Sequence, residues 1–116
     1  MKAIKIAGLL ITAALLTQPV HSQELTGTLK KIKDSGTITL GARESSAPFS
    51  YSLGGTQFVG FSVDLMMKVV DRLKTELKMP DLKYTIIPFT AQNRIPLIQN
   101  GTLDFECSST TNKIGR

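Results

Sequence analysis

The feature that most constrains the fold is an amphipathic segment placed between two runs of strand-forming residues. Its apolar residues recur at steps of three and four, which puts them on one face of a helix: Val63, Met66, Val70, Leu73 and Leu77. We expect Ser62 to cap this helix, which should end near Lys78. The runs on either side, residues 37–40 and 82–89, are rich in β-branched and aromatic residues and predict strands. A helix that joins two strands in this way predicts a βαβ unit with parallel strands.

Shorter elements precede this helix. Residues 28–33 have the pattern of a short amphipathic helix, which Gly36 should end. The pair Gly54-Gly55 lies between two short strand-like runs, residues 49–51 and 57–60, and predicts a hairpin.

The last third of the chain continues the alternation of strands and helices. Asn93 is expected to cap a short helix that tolerates Pro96 in its first turn and ends before Gly101. Residues 103–106 then alternate between apolar and acidic side chains, as in a half-buried strand. The predicted fold class is therefore α/β, with helices flanking a mostly parallel sheet.

The first 22 residues have the composition of a secretory signal peptide. Lys2 and Lys5 precede a mostly apolar run over residues 6–16, and small residues stand near a plausible cleavage point before Gln23. The apolar run has 11 residues, well short of the ~20 that span a bilayer. We therefore expect residues 1–22 to be removed on export and residues 23–116 to form the mature chain.

Composition argues against several classes of function. The formal net charge of +5 falls by the two lysines of the leader to +3, and the remaining positive charges are dispersed. The chain has no tryptophan, and we expect no nucleic-acid partner. Its one histidine, His21, lies in the leader, and no metal-ligand spacing or Ser/His/Asp set is present. We expect no catalytic residue, no metal and no cofactor.

Polar and basic residues follow each of the three predicted strands. Arg43 comes just after the first, Arg94 lies near the end of the second, and Ser109 and Thr111 follow the third. Because ligands collect at the carboxyl ends of parallel strands, these side chains are candidates for one shared site. A guanidinium group there matches a carboxylate. The residues alone also fit a plainer interpretation, in which Arg94 is a surface residue beside an Asn/Gly turn and Arg43 pairs with a neighbouring acid.

Four runs of sequence carry a resemblance to a known family: TLKKIKDSG (28–36), ARESSAPFSY (42–51), QNRIPLIQNGTLDFEC (92–107) and STTN (109–112). In these runs the chain resembles the periplasmic solute-binding proteins of the polar amino acid class, family 3, and in particular the glutamate/aspartate-binding proteins of ABC importers. The resemblance implies a two-lobed fold, of which residues 23–116 would be the N-terminal part of the first lobe. It also implies a periplasmic protein that captures an acidic amino acid for a membrane permease, without catalysis and as a monomer when full length.

The resemblance assigns roles to five residues. The position of Arg94 binds the ligand α-carboxylate with help from the position of Thr111, and the position of Ser109 contributes toward the α-amino end. The position of Arg43 faces the side-chain carboxylate, and Arg116 matches an arginine near the ligand. One departure bears on ligand choice, because Ala91 stands where the acidic-amino-acid binders have a serine.

Other interpretations stay open at this stage. Cys107, the one cysteine, is either a buried apolar thiol or half of a disulfide whose partner lies outside this sequence; the resemblance implies the second. The same fold also serves dehydratase-like enzymes, for which Glu44, Asp104 and Glu106 are the available acids, and ligand-sensing domains of receptors. Since two-lobed relatives are more than twice this length, we expect the 116-residue chain alone neither to fold cooperatively nor to bind tightly.

Overall fold

The computed structural model describes residues 24–109, 111, 114 and 115. Its elements are α1 (Gly27–Ser35), β1 (Thr37–Ala42), β2 (Ser45–Ser46), β3 (Ser50–Gly54), β4 (Gln57–Val59), α2 (Phe61–Glu76), β5 (Lys83–Pro88), α3 (Arg94–Gln99) and β6 (Phe105–Glu106). The predicted leader lies outside the described residues. Within the part that is described, no helix is long and apolar enough to cross a membrane.

Three parallel strands form the main sheet, in the order β5-β1-β6. The central strand β1 pairs with β5 along its whole length, from Thr37 opposite Lys83 to Ala42 opposite Pro88. On its other side β1 pairs with β6 at two positions, Leu40 with Phe105 and Gly41 with Glu106. The predicted α/β class with a parallel sheet is therefore confirmed, and the hairpin appears as a second, antiparallel sheet in the order β2-β3-β4.

Helix α2 packs an apolar face into the hydrophobic core that it shares with the main sheet. Val63, Met66, Val70 and Leu77 are buried, and Leu73 packs partly buried against the same cluster. Ile38 and Leu40 of β1 belong to that cluster as well. The predicted apolar stripe is thus confirmed, and it fixes the face that α2 turns toward the sheet.

The predicted caps at the starts of two helices were wrong. Ser62 lies inside α2, and the helix begins after Gly60, whose φ of 125° few other residues adopt. The first amides of α2 donate instead to backbone carbonyls of the preceding loop, Phe61 to Pro48 at 3.1 Å and Ser62 to Phe49 at 2.8 Å. A partner more than ten residues away in sequence thus takes the place of the predicted side-chain cap.

Asn93 precedes α3 as predicted, but its side chain does not cap the helix. Its Oδ1 accepts a hydrogen bond from the Thr90 amide at 2.8 Å, and Thr90 Oγ1 accepts one from the Asn93 amide at 3.3 Å. This reciprocal pair closes a tight turn between β5 and α3, in which the Asn93 side chain bonds backward to residue 90 and the Thr90 side chain bonds forward to residue 93.

The five predicted strands all differ in length from the prediction: β5 is one residue shorter at each end, β4 ends one residue earlier, and β3 starts one residue later and extends to Gly54. β1 continues through Gly41 and Ala42, because Gly41 allows Leu103 and Phe89 to pack directly against the strand: a Cβ at this position would lie 2.7 Å from Leu103 Cδ1 and 2.9 Å from Phe89 Cδ1. β6 is shorter than predicted and covers only Phe105 and Glu106.

Asp104, which precedes β6, connects three elements. Its carboxylate is 3% exposed; Oδ1 accepts from Lys31 Nζ at 2.7 Å, and Oδ2 accepts from the Thr39 amide at 2.9 Å. Lys31 also donates to the Gly101 carbonyl at 2.7 Å. This Asp104 cluster ties α1 and the turn after α3 to the central strand.

Candidate functional site

The three strand ends that were predicted to converge leave the main sheet at one edge. The pairing of Ala42 with Pro88 and of Gly41 with Glu106 sets the ends of β1, β5 and β6 at nearly the same level. The amide of Phe89 donates to the Ala42 carbonyl at 3.0 Å, which keeps β1 and β5 together one residue further. The segments that follow these three strands therefore lie side by side at the carboxyl edge of the sheet.

Arg43 is the first residue beyond β1 and is half-buried. Its backbone is held on both sides by Ser50, a side chain that is only 1% exposed. The Arg43 amide donates to Ser50 Oγ at 2.9 Å, and Ser50 Oγ donates to the Arg43 carbonyl at 2.8 Å. The chain then turns into the hairpin sheet, where the Glu44 carbonyl accepts from the Ser52 amide at 3.0 Å.

Arg94 is the first residue of α3, and its amide donates to the Thr90 carbonyl at 3.2 Å. The residue is half-buried, and its Nε is buried without a hydrogen-bond partner among the residues that the structure describes. A buried donor left unpaired costs about 1–3 kcal/mol, so it marks a group that a ligand oxygen can satisfy. Arg94 thus starts its helix with a cation at the edge where the strands end.

Two concavities lie at this edge. One, of about 220 Å³, is lined by Glu44, Pro88, Phe89, Thr90 and Asn93, and so lies between the ends of β1 and β5. The other, of about 260 Å³, has mainly apolar walls and lies between the loop after β6 and the start of α2; its lining residues are Phe49, Phe61, Ser62, Leu65, Cys107, Ser108 and Ser109. A larger groove of about 510 Å³ lies away from this edge, against Tyr84 and Phe58.

The predicted site residues are placed as follows. Arg43 directly follows β1, Arg94 begins α3 after the turn that follows β5, and Ser109 is exposed on the rim of the second concavity. Thr111 is exposed, Ala91 is exposed in the turn before α3, and Arg116 lies outside the described residues. Cys107 is half-buried and its thiol is free in the structure, so a disulfide with a residue beyond this sequence stays a prediction.

Ser50, which the sequence pattern did not mark as a site residue, also contributes to this edge. Ser50 holds Arg43, and Thr90 bonds with Asn93 to shape the turn that precedes Arg94. The TAQN sequence of residues 90–93 is typical of such a turn. The contact between Ser50 and Arg43, in contrast, depends on how the hairpin folds back. Across the described residues, no group of three or more His, Cys, Asp or Glu side chains is placed to hold a metal ion.

Residues 38–116 match the family described as bacterial extracellular solute-binding proteins, family 3. The chain is 58% identical over 105 residues to the L-glutamate/L-aspartate-binding protein of Pseudomonas aeruginosa, covering 88% of this chain and 34% of that protein. It is 46% identical over 114 residues to the glutamate/aspartate import solute-binding protein of Escherichia coli, covering 98% of this chain and 38% of that protein. The chain therefore spans about a third of the length of the curated relatives that it matches.

Solved structures show the same architecture. An ancestral amino acid-binding protein, described as a precursor of cyclohexadienyl dehydratase, aligns with a TM-score of 0.65 at 28% identity, over 77% of this chain and 36% of that one. The arginine-bound form of domain 1 from TmArgBP aligns with a TM-score of 0.59 at 25% identity, over 72% of this chain and 61% of that one. The described fold is thus part of the first lobe of a two-lobed binding protein.

Proposed function

Because the chain belongs to the bacterial extracellular solute-binding proteins of family 3, we propose that it takes part in capturing an acidic amino acid, glutamate or aspartate, for an ABC importer. The relatives from Pseudomonas aeruginosa and Escherichia coli are named for these two ligands. The observation that carries the proposal is the parallel register of β1 with β5 and β6, which sets Arg43 and the turn before Arg94 at one edge of the sheet.

The proposed roles follow from the charges of the ligand. Glutamate and aspartate carry two carboxylates, and each guanidinium group offers a planar fork of donors that matches one of them. Arg94, whose buried Nε has no partner in the described part of the chain, would bind the α-carboxylate together with Thr111. Arg43 would face the side-chain carboxylate, Ser109 would contribute near the α-amino group, and Arg116 would lie close to the ligand.

Affinity then depends on several charged hydrogen bonds that act together. Micromolar binding corresponds to about −8 kcal/mol. A hydrogen bond to a charged group contributes roughly 1.5–3 kcal/mol, and ordering the ligand opposes binding. The residues at this edge supply only part of that total, so a second lobe that closes over the ligand would complete the site.

The cellular setting is part of the same proposal. Residues 1–22 would direct export to the periplasm and be removed, and the ligand-bound closed form would be presented to an ABC permease at the membrane. The complete protein would act as a monomer. It would need no catalytic residue, because capture and release involve no change in covalent bonds.

An enzyme on the same fold is the second candidate function, since one of the aligned solved structures is described as a precursor of a dehydratase. Such an enzyme needs an acid or base that faces the substrate. Asp104, one of the three candidate acids, is bonded to Lys31 and to the Thr39 amide and is nearly fully buried, so it has a structural role. Asp104 is therefore not a candidate acid for turnover, whereas Glu44 lines the concavity between the ends of β1 and β5.

Isothermal titration calorimetry on the protein expressed from its complete gene tests the proposal. Glutamate and aspartate are expected to bind at micromolar concentration or tighter, and glutamine and arginine at least about tenfold more weakly. Equal or tighter binding of glutamine or arginine would contradict the acidic preference. If chromatography shows that the bound ligand is consumed over hours, an enzymatic function is favoured.

A further inference from the structure

The structure contains a buried hydroxyl that clamps the backbone of Arg43. Ser50 Oγ accepts the hydrogen bond of the Arg43 amide at 2.9 Å and donates its own to the Arg43 carbonyl at 2.8 Å. We propose that Ser50 is a positioning residue for ligand selection: it fixes the point from which the Arg43 side chain reaches the side-chain carboxylate of the ligand. This inference rests on the proposed function and adds a residue to it.

Arg43 needs such a clamp because it lies where the ladder of the main sheet ends. The pairing of β1 with β5 stops at Ala42, and the chain then leaves toward the hairpin sheet. Beyond that point the Ser50 hydroxyl supplies a partner for both backbone polar groups of Arg43. A hydroxyl is the smallest side-chain group that accepts one hydrogen bond and donates another, so alanine at this position would leave both groups without this partner.

The clamp is carried on a segment that is itself well fixed. Ser50 pairs with Ser46 across the hairpin, and the Phe49 amide donates to the Ser46 carbonyl at 2.8 Å. The carbonyls of Pro48 and Phe49 accept the first two amides of α2. The position of Arg43 is therefore set by the main sheet on one side and, through Ser50, by the start of the long helix on the other.

The first test compares two ligands that differ by one charge. In the complete gene product, Ser50→Ala is expected to weaken glutamate binding about tenfold and glutamine binding less than about twofold, measured by calorimetry. Ser52→Ala is the matched control: it lies two residues along the same strand, and its hydroxyl accepts from the Gly54 amide instead of contacting Arg43. An equal loss of affinity for both ligands would mean that Ser50 only stabilises the fold, and would overturn the proposal.

A double-mutant cycle separates the clamp from general destabilisation. If Ser50 acts through Arg43, then Ser50→Ala has no further effect on glutamate affinity once Arg43→Ala is present. A second, independent tenfold loss in that background would contradict the proposal.

A readout that needs no ligand completes the design. Ser50→Ala is expected to speed hydrogen exchange of the Arg43 amide at least about tenfold, while the Phe89 amide, bonded to the Ala42 carbonyl, keeps its rate. Unchanged exchange at Arg43 would overturn the clamp itself. If the unsubstituted protein fails to bind glutamate, the proposed function is wrong and the selective role of Ser50 falls with it, whereas the exchange rates still decide whether Ser50 holds this backbone.

Discussion

Arg94 combines two properties: it begins the helix that follows the turn after β5, and its Nε is buried without a partner among the described residues. A guanidinium in this setting binds a carboxylate through two parallel hydrogen bonds, which an ammonium group cannot reproduce. The identity of the side chain, and not only its charge, should therefore matter.

We expect Arg94→Lys to weaken glutamate binding by roughly 10- to 100-fold, because lysine keeps the charge and loses the fork. Calorimetry on the complete gene product measures the change. Arg72→Lys is the control, since Arg72 lies on the exposed side of α2 and pairs with Glu76. An unchanged affinity for glutamate in Arg94→Lys would show that Arg94 does not bind the ligand carboxylate.

A substitution at Ala91 tests whether a hydroxyl group in the turn before Arg94 strengthens ligand binding. Ala91 is exposed in that turn, at a position where the resemblance to the acidic-amino-acid binders implies a serine. Ala91→Ser adds a hydroxyl donor and is expected to tighten glutamate binding by about threefold to tenfold, in keeping with one hydrogen bond of about 1 kcal/mol. Titration of the two forms with glutamate decides this, and weaker binding by the serine form would contradict the assigned position.

At the scale of elements, the Asp104 cluster joins α1, the turn after α3 and strand β1 through one carboxylate. Asp104→Asn keeps the shape of the side chain but removes the charge that faces Lys31, so we expect it to lower the free energy of unfolding by about 1–3 kcal/mol. Urea denaturation measures this.

Asp34→Asn is the matched control for Asp104→Asn. It breaks the exposed Lys30–Asp34 ion pair on α1, the helix that also carries Lys31. An exposed pair of this kind contributes about 0–1 kcal/mol. A loss in Asp104→Asn no greater than in the control would contradict a connecting role for the Asp104 cluster.

The elements could be predicted from sequence wherever a local pattern decides them. The stripe of α2 and the β-branched run of β1 are examples, since periodicity and composition fix both. The start of α2 could not be predicted, because carbonyls of Pro48 and Phe49 satisfy its amides and no local signal announces contacts across the hairpin. The length of β1 depended likewise on Leu103, which packs against Gly41 from far along the chain.

The candidate site likewise contains some residues that the sequence predicts and others that depend on distant contacts in the fold. Arg43 and Arg94 could be proposed from the sequence, because charged residues after predicted strands are visible there and a parallel order predicts that the strands end at one edge. The clamp by Ser50 could not be found, since its partner depends on how β3 folds back onto the end of β1. The resemblance supplied the roles of Ser109, Thr111 and Arg116, which no pattern of spacing predicts.

At the scale of the whole molecule, several large apolar side chains stand exposed along one side of α2 and the adjoining loop. Phe61 is 60% exposed and Phe49 is 50% exposed, and Leu65 and Val69 follow on later turns of the helix. Family relatives are about three times as long, and the arginine-bound domain 1 from TmArgBP is itself longer than this chain. The described residues thus expose apolar surface of a kind that folded domains usually bury.

We therefore expect the 116-residue chain alone to melt without a sharp transition and to bind glutamate more weakly than micromolar, because half of the site remains open to water. Thermal unfolding followed by circular dichroism measures the first expectation, and calorimetry with glutamate measures the second. The complete gene product serves as the control for both. Micromolar binding by the 116-residue chain would refute this prediction.

The pairing of β1 with β5 at six successive positions has a consequence for how specificity changes among such proteins. Backbone pairing sets the spacing between the ends of β1 and β5, so exchanging a side chain beyond either end leaves the sheet itself intact. If the proposed site is correct, single-codon changes beyond the strand ends would alter which metabolite is recognised, while the sheet is inherited without change.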